Sequence, residues 1–306
     1  MTPETRPGAR FEPLHDAHAI DQALFVVQFG NALDDGAYQE LLNLAEPYSK
    51  ELPGRMDAQG FPASFGALSM PGVAAQAAQA VQAVGFQLGI PMLNPFQAPP
   101  SALPGARILR SSRRDGTMEN ELKVDRNSIT FRTSAYEGWD VTWGKVGTYF
   151  LELLPVYAKT LPVSTVGLTF VDKFVWTGDI EACKPNLLLR PASKYVAPYV
   201  YDITDLWHNH TGHFIRATNQ IKRLLNVNVD YIDENLGQTQ RRVVGITTVV
   251  TDLMNQPTYD QLDLGGGSLA DFCAHEMNEL HALSKEVFGF VINDAMSHRI
   301  GLKERT

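Results

Sequence analysis

Residues 107–133 read RILRSSRRDGTMENELKVDRNSITFRT. Alternating apolar and polar runs are separated by Asp115-Gly116 and by Asp125-Arg126-Asn127-Ser128, residue types that accept the tight backbone of a reversing turn. The stretch predicts an antiparallel meander. On its middle strand Met118, Leu122 and Val124 share one face, and Thr117, Glu119, Glu121 and Lys123 the other. One face is therefore expected to be buried and one solvated. An element with an apolar stripe must cover the buried face. Residues 140–161, DVTWGKVGTYFLELLPVYAKTL, supply one: Trp143, Val146, Phe150, Leu153, Leu154 and Tyr157 recur at helical spacing behind Asp140 as N-cap, with Pro155 as an interruption.

Outward from this core, ALFVVQF (23–29) reads as a buried strand that leads into a helix around DDGAYQELLNLAEPYS (34–49). Residues 1–20 are polar and read as a loose arm. Between 55 and 103 the composition shifts to Ala, Gln, Gly and Pro, an insert in which Val73, Ala77, Val81, Val84 and Leu88 mark one helix, lid-like or, given its small apolar side chains, a weakly docked surface helix. After the helix, VSTVGLTFVDKFVW (163–176) is a further long strand. From Gly178 to Pro198 periodicity fades, and the segment reads as a crossover between modules. Beyond it GHFIRATNQI (212–221), RLLNVNVDYIDE (223–234) and RRVVGITTVVTDLM (241–254) precede SLADFCAHEMNELHALSKEVFGFVI (268–292). There Ser268 and Asp271 form a capping box ahead of a Leu269, Phe272, Cys273, Leu280, Leu283, Val287 stripe. The second half repeats the order of the first. The fold class expected is α+β, in two modules (21–180 and 200–306), each an antiparallel sheet covered by a long amphipathic helix.

A chain of 306 residues has length for two cores, and its net charge of -8 lacks the basic footprint of a nucleic-acid binder. Cys183 and Cys273 are far apart and outside any CxxC spacing, which favours a reducing, cytoplasmic compartment over a disulfide framework. The first thirty residues hold no apolar signal core, and no run is long and apolar enough for a membrane span.

Five segments in order, LKVDRNSITFRTSAYEGWD (122–140), VGTYFLELLPVY (146–157), VGLTFVDKF (166–174), NLLLRPASKYVAP (186–198) and LHALSKEVFGFVINDAM (280–296), resemble a sporadically distributed family of uncharacterised bacterial and archaeal proteins. The resemblance implies a two-part α+β protein and, from scattered occurrence, an accessory role of the defence or immunity type. It implies no catalytic residue, and His208, His210 and His213 lie outside its pattern.

DLWHNHTGHF (205–214) carries those histidines. If Thr211-Gly212 closes a two-residue hairpin, His210 faces His213 and His208 shares their side, within about 5 Å across the strands. Three imidazoles and a water make an open catalytic zinc site, so these residues are the candidate ligands for zinc or another divalent transition metal. A slip of one residue would send His213 to the opposite face, and polar residues gather at hairpin tips without any metal. HEMNELH (275–281) lacks the second His four positions after the first that zincin chemistry needs, which leaves His275 and Glu279 as a solvent-facing pair. The Gly265–Gly267 run before the last long helix offers backbone donors to an anion or, more simply, a flexible approach to its N-cap. Asp172 and Lys173 are the least expected charges, set in an apolar strand, and Asp172 reads as a paired structural carboxylate.

These features favour a non-enzymatic binding or interaction protein for a protein or small-molecule ligand, with no nucleic acid, membrane or cofactor. The alternative is a metal-dependent hydrolase or lyase with Glu279 as base. A third reading is a homodimer packed through sheet faces.

Overall fold

A computed structural model describes residues 10–58, 105–236, 239–254 and 267–302. In chain order its elements are β1 (Phe11–Pro13), β2 (Ile20–Phe29), α1 (Asp35–Ala45), β3 (Gly54–Ala58), β4 (Ala106–Ser112), β5 (Met118–Asp125), β6 (Ser128–Thr133), α2 (Trp139–Ala158), β7 (Val163–Trp176), β8 (Trp207–Arg216), β9 (Ile221–Leu236), β10 (Thr239–Met254), α3 (Leu269–Val291) and α4 (Asp294–Arg299). The helix expected within the 55–103 insert lies outside the described residues.

The meander forms as its turns dictate, β4 on β5 and β5 on β6. It does not belong to a sheet of its own. The ten strands among the described residues join in one antiparallel sheet, ordered β3-β4-β5-β6-β2-β7-β10-β9-β8, with β1 on the end of β7. The expectation of two α+β modules with separate sheets is thus corrected, and the physical reason lies in β2 and β7. Each opens its half, and each has one edge taken by the last strand of its own meander, β6 on β2 and β10 on β7. Their remaining edges are long and apolar, and an exposed edge of that kind invites pairing. They pair with each other from Ile20 opposite Asp172 to Phe29 opposite Val163. The 178–198 segment is therefore not a boundary between sheets. Its Leu188 and Leu189 are fully buried and join the common core.

Both long helices cover one face of this sheet. Phe25 stacks against Trp139 and Trp143 of α2, and Phe174 against Phe288 of α3. Register places Phe25 and Leu168 opposite each other on that face. The 178–206 crossover packs there too, with Tyr195 against Phe290 and the Tyr231 hydroxyl donating to the Cys183 carbonyl. Residues 11–13 are not a loose arm: Phe11 is buried against Trp176. Gly138, at φ +98°, caps α2 in place of Asp140, and the helix runs through Pro155 to Ala158. On α3 the capping box forms as read, Ser268 accepting from the Asp271 amide and Asp271 from the Ser268 amide. Ser268→Ala is expected to lower stability by about 1 kcal/mol in urea unfolding.

No described helix lies on the opposite, far face. Its central positions are nonetheless buried, among them Thr165, Val171, Val243, Val249 and Thr251. β10 is buried on both sides from Val243 to Asp252, the pattern of a strand at the middle of a large sheet.

Candidate functional site

β8 runs straight from Trp207 to Arg216 along β9, so the hairpin expected at Thr211-Gly212 does not form, and the chain reverses instead at residues 217–220. Gly212 serves a different need. A Cβ at that position would sit 2.1 Å from Oδ1 of Asn226, so the glycine lets the Asn226 carboxamide lie across the strand. With no turn, strand alternation separates the histidines. His208 and His210 project from the far face, while His213 points to the helix face and stacks over Tyr195. Among the described residues no three His, Cys, Asp or Glu side chains gather to hold a metal ion.

Register builds a different constellation around His208 and His210. His208 stands opposite Asp230, which stands opposite Gly245, which stands opposite Lys173. In the adjoining row His210 faces Asn228, Asn228 faces Thr247, Thr247 faces Val171, and Val171 faces Gln22. Strands about 4.8 Å apart carry these side chains on one surface. His210 Nδ1 is hydrogen-bonded to Oδ1 of Asn228. Lys173 Nζ lies 3.2 Å from Glu234 Oε2 and 3.7 Å from Asp21 Oδ2.

Several of these groups are buried and incompletely satisfied. Asp230 is 4% exposed and Thr247 6% exposed. Asp230 Oδ2, Thr247 Oγ1, Gln22 Oε1 and Glu234 Oε1 have no hydrogen-bond partner among the described residues. Burial pushes the Asp230 carboxyl up to about 6, and the neighbouring His208 opposes that rise. Native interiors rarely leave such atoms unpaired. At the β8 edge His208 is exposed, which gives the row an end in contact with solvent.

The two unexpected charges on β7 part company. Lys173 joins the far-face row, whereas Asp172 turns under the helices and is 4% exposed. Burial, then the charge of Asp21, pushes its carboxyl up to about 8. His275 and Glu279 face solvent on α3, as read, but Glu276 between them is buried. Arg223 donates to both Asp252 oxygens at 2.6 and 2.8 Å and to Glu276 Oε2 at 3.0 Å, which ties α3 to β9 and β10. A cleft of about 190 Å³ between α2 and α3, lined by Trp143, Gly144, Gly147, Cys273 and Ala274, is apolar and smaller than ligand pockets of roughly 300–1,000 Å³. Cys183 and Cys273 are free, and burial pushes both thiols up, away from nucleophilic chemistry.

The chain matches no protein-family model, no curated protein and no solved structure. Sequence reasoning singled out His208 and His210 as metal-ligand candidates with His213, and Lys173 only as an unexpected charge in an apolar strand. Asp230, Thr247 and Gln22 escaped it because they sit on separate strands, and only strand order and register bring them together.

Proposed function

We propose that the protein is a non-enzymatic binding protein that receives its ligand on the far-face row formed by His208, Asp230, Asn228, Thr247 and Lys173. The observation that carries this reading is the pair of buried oxygens without partners, Asp230 Oδ2 and Thr247 Oγ1. A buried polar atom left unpaired costs roughly 1–3 kcal/mol, and sites kept for binding are where such a cost persists. A metal-dependent hydrolase or lyase is the weaker alternative, because His213 is turned away from His208 and His210. An accessory role of the defence or immunity type fits the family resemblance and adds no chemistry.

Stability measurements test the reading without knowledge of the ligand. Thr247→Val replaces an unpaired hydroxyl by a methyl of the same shape and is expected to raise unfolding stability by about 1 kcal/mol. Asp230→Asn is expected to leave stability equal or higher at pH 7, where the wild-type carboxyl is held buried and ionised. A loss above 1 kcal/mol in both variants would make these groups part of the scaffold and remove the basis for a binding site here.

A further inference from the structure

We infer that this row takes a cation bearing N–H donors, an ammonium or guanidinium group. The inference rests on the far-face binding reading and specifies its ligand class. Three of the four unpartnered atoms, Asp230 Oδ2, Glu234 Oε1 and Gln22 Oε1, are oxygens that only accept, and the fourth is the Thr247 hydroxyl. Of these, Asp230 Oδ2 and the Thr247 hydroxyl lie within one small ligand's reach, and the carboxylate oxygen can be satisfied only by a donor. Charge favours a cation at Asp230 itself: Lys173 is engaged with Glu234 and Asp21, and Arg241 stands opposite Glu234, so neither ion pair involves the Asp230 carboxylate. Asp230 and Thr247, each more than nine-tenths buried, are diagonal neighbours across β9 and β10, roughly 7–8 Å apart at the backbone. Gly245, opposite Asp230, places no side chain in the row between that carboxylate and Lys173. A planar cation with donors along two edges matches this arrangement, and charge-assisted N–H···O⁻ bonds are the stronger kind.

Protonation of the row modulates the same site. Asp230 faces His208 and, diagonally, His210 on β8; Lys173 on β7, Glu234 on its own strand, Arg241 opposite Glu234 on β10 and Asp21 on β2 lie further along the same face. Cation binding requires the Asp230 carboxylate in its ionised form, so it is expected to strengthen from pH 5 to pH 7.

The test is titration of ¹⁵N-labelled full-length protein with methylguanidinium, and separately with inorganic phosphate and zinc chloride, followed through the amides of Asn228, Gly245 and Thr247. Methylguanidinium is expected to shift these amides, with affinity at least tenfold weaker in both Asp230→Asn and Thr247→Val. Thr247→Val keeps the test decisive if Asp230→Asn fails to fold. Shifts caused by phosphate or zinc and not by methylguanidinium would overturn the cation assignment while leaving the face a binding site. Shifts by none of the probes, or equal methylguanidinium affinity in the variants, would overturn the assignment together with its dependence on these residues.

Discussion

Arg223→Ala is expected to destabilise the protein by about 3–5 kcal/mol, because it leaves two buried carboxylates without their cation. Asp252 is fully buried and Glu276 is 7% exposed, and Arg223 supplies both with hydrogen bonds. Burial, then the hydrogen bond and charge of Asp252, pushes the Glu276 carboxyl up, and the Arg223 guanidinium opposes that rise. Without it the loss deepens as pH rises, since each proton released leaves a further uncompensated charge between α3 and the sheet. Urea unfolding at pH 6 and pH 9 checks both statements, and a loss below 1 kcal/mol at both values would show that the carboxylates are solvated. Replacing Arg223, Asp252 and Glu276 together by apolar residues of similar volume is expected to restore most of the stability. A buried ion cluster is seldom worth more than a packed core.

What the sequence revealed divides along the range of the interactions. Local signals were legible: Asp115-Gly116 set the first meander turn, the alternation of β5 chose its buried face, and Ser268 with Asp271 marked the start of α3 to the residue. The single sheet was not legible, because the β2–β7 seam joins strands whose paired residues are more than a hundred positions apart, and alternation cannot name a partner. A two-sided apolar run such as ALFVVQF does state that a strand is covered on both faces, which is a mark of a central position in a large sheet. The hairpin reading of Gly212 failed for a definite reason. Glycine there leaves room for the Asn226 side chain of the neighbouring strand, a contact that a turn rule cannot anticipate. The same limit hid the candidate site: His208 and His210 were visible as a pair, but Asp230, Thr247 and Gln22 become their neighbours only through register.

Asp172→Asn is expected to stabilise the protein above neutral pH, by about 3 kcal/mol at pH 8 and roughly 5 °C in Tm, and to have little effect below pH 4. Asp172 lies between Phe170 and Phe174 on the helix face of β7, a position where an ionised carboxylate is poorly solvated. Its folded-state carboxyl, pushed up to about 8, holds its proton far more tightly than the same group in an unfolded chain. When the folded state binds more protons than the unfolded state, stability falls as pH rises. For Asp172 that fall begins in the ordinary carboxylate range, where the unfolded chain starts to ionise, and ends near pH 8, where the folded chain ionises as well. An amide at this position does not titrate, so the variant and wild type coincide in acid and diverge across that window. Glu276 imposes a slope of the same sign, so the variant retains part of the decline. Thermal melts at intervals from pH 4 to pH 9 measure the divergence. Parallel curves for the two proteins would mean that Asp172 has a hydrogen-bonded ionised state in the fold, and that the least expected charge on β7 is partnered after all.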